Sequence, residues 1–128
     1  MTINGPNTVT ISSIDGKGGS LTLENVLNAT VNDYDGAITI AGGVETFTSN
    51  NVVSLAGAMT DIVTVDITGV IDPNDTKDKS GPALDFDGKS DLVTLTLDGN
   101  FASVDVQNNG NIETLTLKPT TVINNGDL

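Results

Sequence analysis

The sequence predicts an all-β protein, a parallel β-solenoid in which short strands stack coil upon coil. Three observations lead to this prediction. Apolar residues and threonines alternate in runs such as Val93–Leu97, so each run has one apolar face and one threonine face. Turn-forming Asp, Asn and Gly separate the runs about every eight to twelve residues. The run 93–97 recurs as 113–117, and this offset suits one coil of a solenoid.

The alternative fold is an immunoglobulin-like β-sandwich of about seven to nine strands, which shares the same strand spacing. Two features favour the solenoid. Aromatic content is only 3% and there is no tryptophan, so the interior must be narrow and built from small aliphatic side chains. A second apparent repeat, in which Asn108–Ile112 recurs as Asn124–Leu128, places asparagines at corners where they can hydrogen-bond along the stack.

The strands are predicted from threonine-rich, β-branched runs. They are residues 8–11, 20–23, 29–31, 37–40, 45–47, 52–55, 62–67, 83–86, 92–97, 103–106 and 113–117, with a short apolar run at 25–27. Corners are predicted at 15–19, 32–36, 41–43, 49–51, 56–58, 98–100 and 108–111. The window 21–29 forms at most a short turn, because its apolar residues do not keep a helical spacing.

The length of 128 residues predicts a single β-rich module, 1–128. The regular alternation of predicted strands and corners is interrupted at 68–82, a polar segment that contains Pro73 and Pro82. This segment is either a long surface loop or a junction between two sub-stacks, 1–67 and 83–128. Residues 124–128 resemble the middle of a repeat, so we expect the chain to be a fragment of a longer protein.

The charge balance excludes several function classes. There are 17 acidic and 5 basic residues, for a net charge of −12. Nucleic acid needs clustered cationic side chains, so we expect no nucleic-acid binding. No apolar run approaches the roughly 20 residues of a spanning helix, so we expect no membrane insertion. The chain has neither His nor Cys, which removes the usual nucleophile–base pairs, and we expect no enzyme and no catalytic residues.

Calcium is the best chemical candidate, because Ca²⁺ takes six to eight oxygen ligands from Asp, Asn and turn carbonyls. Two acidic segments offer such oxygens, and a weaker version lies at 32–36. The candidate ligands are Asp72, Asn74, Asp75, Asp78, Asp85, Asp87 and Asp91. Neither segment matches the twelve-residue EF-hand loop or the RTX nonapeptide. Solvated loop acids, partly neutralised by Lys77, Lys79 and Lys89, are the plainer interpretation.

Two other features have ordinary explanations. Phe47, Phe86 and Phe101 are expected to be core plugs or end caps rather than a ligand box. The exposed threonine rows could bind flat lattices or sugars, but threonine is also simply a good strand former on a wet face.

The segment 92–117, LVTLTLDGNFASVDVQNNGNIETLTL, resembles the repetitive regions of bacterial surface-layer proteins. The resemblance is one of composition and style, and it is strongest over 83–128. It points to surface-layer proteins of Gram-negative bacteria that are exported by type I secretion and often stand near RTX calcium-binding repeats. Proteins of this kind form two-dimensional crystalline coats, commonly with β-rich domains held together by calcium. This chain lacks the RTX nonapeptide itself.

We therefore expect a secreted structural module at the bacterial cell surface, which self-associates into a lattice or fibre and binds calcium. A cell-surface polysaccharide is a further expected partner. The alternative function is an adhesin or carbohydrate-binding β-domain of a secreted surface protein.

Overall fold

The computed structural model describes residues 1–12, 19–34, 36–50, 54–69, 83–89, 91–109, 111–118 and 121–127, and it is a parallel β-solenoid. Within these residues there are β-strands and no helix. The strands are β1 (Thr2–Asn4), β2 (Thr8–Ser12), β3 (Ser20–Glu24), β4 (Asn28–Asn32), β5 (Ala37–Ile40), β6 (Thr46–Asn50), β7 (Ser54–Ala56), β8 (Thr64–Gly69), β9 (Ala83–Asp85), β10 (Thr94–Asp105), β11 (Thr114–Leu117) and β12 (Val122–Asp127).

The chain winds alternately through two sheets. The first sheet holds β1, β3, β5, β7, β9, the second half of β10, and β12. The second sheet holds β2, β4, β6, β8, the first half of β10, and β11. Every one of these pairings is parallel, whereas an immunoglobulin-like sandwich is antiparallel. The solenoid prediction is therefore confirmed and the sandwich alternative is wrong.

Equivalent residues of successive coils lie side by side. Thr46 pairs with Thr64, and Thr94 pairs with Thr114, as the repeat of 93–97 at 113–117 predicts. Thr64 pairs with Thr94, and the stretch of sequence between these two partners is longer because it includes residues 70–82. Both sheets continue directly across that segment, because β7 pairs with β9 and β8 with β10. Of the predicted loop 68–82, Thr68 and Gly69 belong to β8, and 70–82 lies outside the described residues.

The core consists of side-chain ladders that run along the stack. The pattern apolar-x-x-apolar-x-apolar recurs along the second sheet. One coil has Ile62, Val65 and Ile67, and the coil paired with it has Leu92, Leu95 and Leu97. All of these side chains are fully buried. Burying an aliphatic side chain of this size contributes about 1.5–3 kcal/mol. Phe47, Phe86 and Phe101 are also fully buried, which confirms that they are core plugs.

The asparagines at corners join neighbouring coils, as predicted. The Asn25 side chain donates to Asn4 Oδ1 (3.3 Å) and the Asn108 side chain donates to Asp87 Oδ1 (2.8 Å). Asn25 and Asn108 both have positive φ, 55° in each case, a conformation that asparagine tolerates better than most residues. Asn25 falls in the window 21–29, where the structure shows a corner between β3 and β4 and no helix.

Three sequence predictions about corners are wrong. Asp98–Asn100 was expected to end a strand, but it lies inside the continuous strand β10. Gly99, with φ of 128°, carries β10 from the second sheet into the first. The corner predicted at 49–51 is also misplaced, since Ser49 and Asn50 belong to β6.

The third wrong prediction is the repeat of Asn108–Ile112 at Asn124–Leu128. Residues 122–127 form β12, which pairs with Asn100–Asp105 and not with the corner at 108. Coils are aligned by backbone hydrogen bonds, so two segments of similar composition need not be equivalent in the stack.

Candidate functional site

The predicted calcium ligands fall into two groups. Asp72, Asn74, Asp75 and Asp78 lie outside the described residues. The weaker candidate at 32–36 is only partly described, because Asp35 lies outside the described residues. Asp33 lies at the corner after β4 and has a φ of 56°.

Asp85, Asp87 and Asp91 are described, and two of them hold a corner of the solenoid. Asp85 Oδ1 accepts a hydrogen bond from the Asp87 backbone N–H (3.1 Å). Asp87 Oδ1 accepts from the Asn108 side chain of the next coil (2.8 Å). Among the described residues, no three His, Cys, Asp or Glu side chains come together as a metal site. Calcium binding therefore stays a prediction.

The structure adds an acidic ladder that sequence reasoning missed. Asp85 pairs with Asp105, and Asp105 pairs with Asp127, on three neighbouring strands of the first sheet. Like charges directly opposite each other on paired strands destabilise a sheet. Asp105 Oδ1 accepts from the Gln107 N–H (3.0 Å), repeating the turn that Asp85 makes with Asp87. The 20-residue offset of the repeat at 93–97 applies to Asp85 and Asp105 too, and this signal could have found the pair.

The second sheet ends on a strand with exposed leucines. Leu115 and Leu117 of β11 pair with Leu95 and Leu97 of β10, yet they are 42% and 43% exposed where their partners are fully buried. Ile112, at the preceding ladder position, is partly buried against the core. Within the described residues β11 pairs only with β10. We call the surface formed by Ile112, Leu115 and Leu117 the open end.

The opposite end of the stack carries matching apolar residues. Ile3 of β1 and Val9 of β2 are partly buried and pack against the core. Within the described residues, β1 pairs only with β3 and β2 only with β4. We call this surface the starting end. β2 has the sequence Thr-Val-Thr-Ile-Ser and β11 has Thr-Leu-Thr-Leu, so both ends alternate in the same order.

The outer side of the second sheet is a regular array of threonines, which we call the threonine face. The face consists of two rows that alternate with the buried ladders, and each row takes one residue from each of six strands. The first row is Thr8, Asn28, Thr46, Thr64, Thr94 and Thr114, and the second is Thr10, Thr30, Thr48, Asp66, Thr96 and Thr116. None of these side chains is buried. A third row on the same side, of Ser12, Asn32, Asn50, Thr68 and Asp98, lies beside the threonine face and is not part of it.

Aromatic side chains are absent from the surface. The chain has three phenylalanines, one tyrosine and no tryptophan, and Phe47, Phe86, Phe101 and Tyr34 are all buried. No aromatic ring is thus available to stack on a sugar.

In the part of the chain that the structure describes, no helix has the length and apolar character needed to cross a membrane. Comparisons of the chain with protein-family models, with curated proteins and with solved structures find no match.

Proposed function

We propose that this chain is a structural, non-catalytic module that associates end to end in a bacterial cell-surface layer outside the cell. The observation that carries the proposal is the exposure of Leu115 and Leu117 at ladder positions that are fully buried one coil earlier. In a stack of coils each coil buries the apolar face of its neighbour, so these two leucines form an apolar surface that a further coil would cover.

The occupant we propose for the open end is the starting end of a second copy. If the regular pairing continues across the joint, β11 lies beside β2 of the next copy, with Leu115 against the half-buried Val9 and Leu117 beside Ile11. Since Ile11 is only 6% exposed, the contact between Leu115 and Val9 carries most of the new apolar burial on the starting end. Both strands run parallel to the stack's other strands. The backbone groups of each edge, which have no strand partner among the described residues, therefore meet complementary groups. This contact is head-to-tail, which builds open fibres rather than closed dimers.

The strength of one such joint is modest. Covering the exposed parts of two leucines contributes about 1 kcal/mol for each side chain, since full burial contributes about 1.5–3 kcal/mol. Strand pairing adds to this, while lost translational freedom and the repulsion between copies of net charge −12 oppose it. Assembly should therefore rise with protein concentration and with salt, which screens the repulsion.

The cell-surface setting is supported by the resemblance of residues 92–117 to surface-layer proteins and by the strongly acidic composition. In this proposal calcium acts as a counterion to the acidic side chains. The pairing of Asp85 with Asp105 leaves carboxylates at adjacent positions of one sheet, and a divalent cation would reduce their mutual repulsion.

Sedimentation velocity over a range of protein concentrations tests the end-to-end association. We expect the wild-type chain to form a concentration-dependent series of species at moderate salt. The double variant Leu115→Asp/Leu117→Asp should remain a monomer, because charge replaces the apolar contact. A wild-type chain that stays monomeric up to its solubility limit would contradict the proposal and favour the adhesin alternative.

Leu27→Asp provides the matched control. Leu27 is 39% exposed, similar to Leu115, but it lies at the corner between β3 and β4 rather than at an end of the stack. The control should assemble like the wild type. Circular dichroism of all variants checks that each is folded. If the control loses assembly as much as the double variant does, the open end is not the contact surface and the proposal is contradicted.

A further inference from the structure

The threonine face has a spacing that is fixed by the backbone in two directions. Neighbouring parallel strands lie about 4.8 Å apart, and residues two apart on one strand lie about 6.6 Å apart. The strands are paired in register from β2 to β11. Thr8 therefore lies beside Asn28, and Thr94 beside Thr114, in one straight row. The outer residues therefore form a rectangular grid, two positions wide and six strands long.

Ten of these twelve grid positions are threonine. Threonine is β-branched and stiff at its first side-chain torsion, so it holds its hydroxyl and methyl in few orientations. A grid of such side chains presents hydroxyls at regular intervals with methyl groups between them. Ordering this surface at an interface costs little side-chain entropy, because most of the freedom is already lost.

The charge of the face differs from that of the rest of the chain. The net charge is −12, yet Asp66 is the only charged residue among the twelve grid positions, and Asp98 follows in the third row on the same side. Aromatic rings, which would favour a sugar, are all buried. The occupant that fits a neutral grid of hydroxyls and methyls is itself neutral, regular in two directions and rich in hydrogen-bond partners.

Crystalline water meets these requirements. Hexagonal ice exposes oxygen rows whose two repeats are close to the strand spacing and to the two-residue interval of a β-strand. Only two rows must match along the strand direction, so a small mismatch there does not accumulate. We propose that the threonine face binds ice, with the threonine hydroxyls hydrogen-bonded to lattice water and the methyl groups seated between the oxygen rows.

Two grid positions depart from threonine, and one departure gives a sharp test. Asp66 lies in the middle of the second row, between Thr48 and Thr96. Its charge holds a hydration shell that does not fit a neutral lattice. Replacing it with threonine completes the row, so Asp66→Thr should bind ice better than the wild type.

The experiment grows ice slowly on a cold finger from a solution of the full chain and measures the protein in the ice and in the remaining liquid. We expect the wild type to be enriched in the ice fraction relative to serum albumin, with Asp66→Thr enriched further. Microscopy of single ice crystals should show facets and a gap between melting and freezing temperatures. Exclusion of the wild type from ice to the same extent as albumin would overturn the proposal.

A pair of tyrosine variants assigns the effect to the face. Thr48 and Thr39 are both exposed threonines, but Thr48 lies on the threonine face and Thr39 on the outer side of the first sheet. Thr48→Tyr places a ring in the middle of the grid and should abolish enrichment in ice, whereas Thr39→Tyr should retain it. Equal behaviour of the two folded variants, or a lower enrichment of Asp66→Thr than of the wild type, would overturn the assignment.

Discussion

Leu115 lies directly beside Leu95 on the neighbouring strand, and its side chain is 42% exposed where that of Leu95 is fully buried. The two residues occupy the same position of successive coils. The difference arises because β11, in the part of the chain that the structure describes, has a paired strand on one side only. This relationship links the fold to the proposed assembly, because the interior of the stack and its open end are made of the same ladder.

Ser49 is a weak point in the adjacent ladder, the one that ends at Leu117. It lies between Val31 and Ile67 on the paired strands, is 3% exposed, and its hydroxyl has no hydrogen-bond partner among the described residues. An unsatisfied buried polar group costs about 1–3 kcal/mol. We expect Ser49→Ala to raise the free energy of unfolding by about 1 kcal/mol, measured by urea denaturation. Ser54→Ala, at a half-buried position of β7, should change it little, and a destabilised Ser49→Ala would contradict this reading.

Gly57 is required by a close approach between coils. A Cβ there would clash with the backbone of Ile40, with the carbonyl oxygen nearest and the amide nitrogen at 2.8 Å, and the φ of 127° is itself unfavourable for other residues. Gly57→Ala should therefore lower the free energy of unfolding by about 2 kcal/mol or more. Gly5 has a similar φ of 105° with no atom near its Cβ position, so Gly5→Ala should cost less. Similar thermal melts for the two variants would show that the clash is relieved by a shift of the coil.

Asn109 joins the corner that follows β10 to the corner that follows β9. Its side-chain amide donates to the Phe86 carbonyl of the preceding coil (2.5 Å) and to the Val106 and Gln107 carbonyls (3.2 Å each). The side-chain oxygen Oδ1 is buried without a partner among the described residues, so its removal offsets part of the loss. We expect Asn109→Ala to lower the free energy of unfolding by about 1 kcal/mol, because the carbonyls lose a partly buried donor. Asn7→Ala, at an exposed corner, should stay within about 0.5 kcal/mol of the wild type. Equal stability of Asn109→Ala and wild type would show that water replaces the amide.

Calcium should raise the melting temperature of the wild type, and excess EGTA should lower it again. The physical reason is the carboxylate pairing of Asp85 with Asp105. Asp105→Asn removes one of the two charges, so this variant should be more stable than the wild type in EGTA and gain less from calcium. Glu45→Gln, an exposed corner residue, serves as the charge-matched control. A wild-type melt that is unchanged by EGTA would count against calcium.

Much of the architecture could be predicted from local alternation. The run at 37–40 coincides with β5, and the threonine-backed runs at 8–11 and 20–23 fall within β2 and β3, because strand side chains must alternate between core and solvent. Corners were less predictable. Asp98-Gly99-Asn100 has ordinary turn composition, but backbone pairing on both sheets keeps it within β10.

The surfaces were harder to predict than the strands. The threonine rows are visible in the sequence, but their register as a grid depends on which residues pair across coils of unequal length, such as Thr64 with Thr94. The pairing of Asp85 with Asp105 and the exposure of Leu115 depend on the same stacking order. In the sequence itself the strongest local signal comes from the acid-rich loops, whose composition is visible without the pairing.

The most direct test of end-to-end association uses the absence of cysteine from the chain. Two single variants, Thr10→Cys and Thr116→Cys, place one thiol each at the starting end and the open end, on residues that would be neighbours about 4.8 Å apart across the proposed joint. Mixed and treated with a short bis-maleimide, they should give a covalent dimer on a denaturing gel. The pair Thr39→Cys and Thr116→Cys, with one thiol on the other sheet, sets the background. A dimer band well above that background is the result we predict, and a band no stronger than the background would contradict the account.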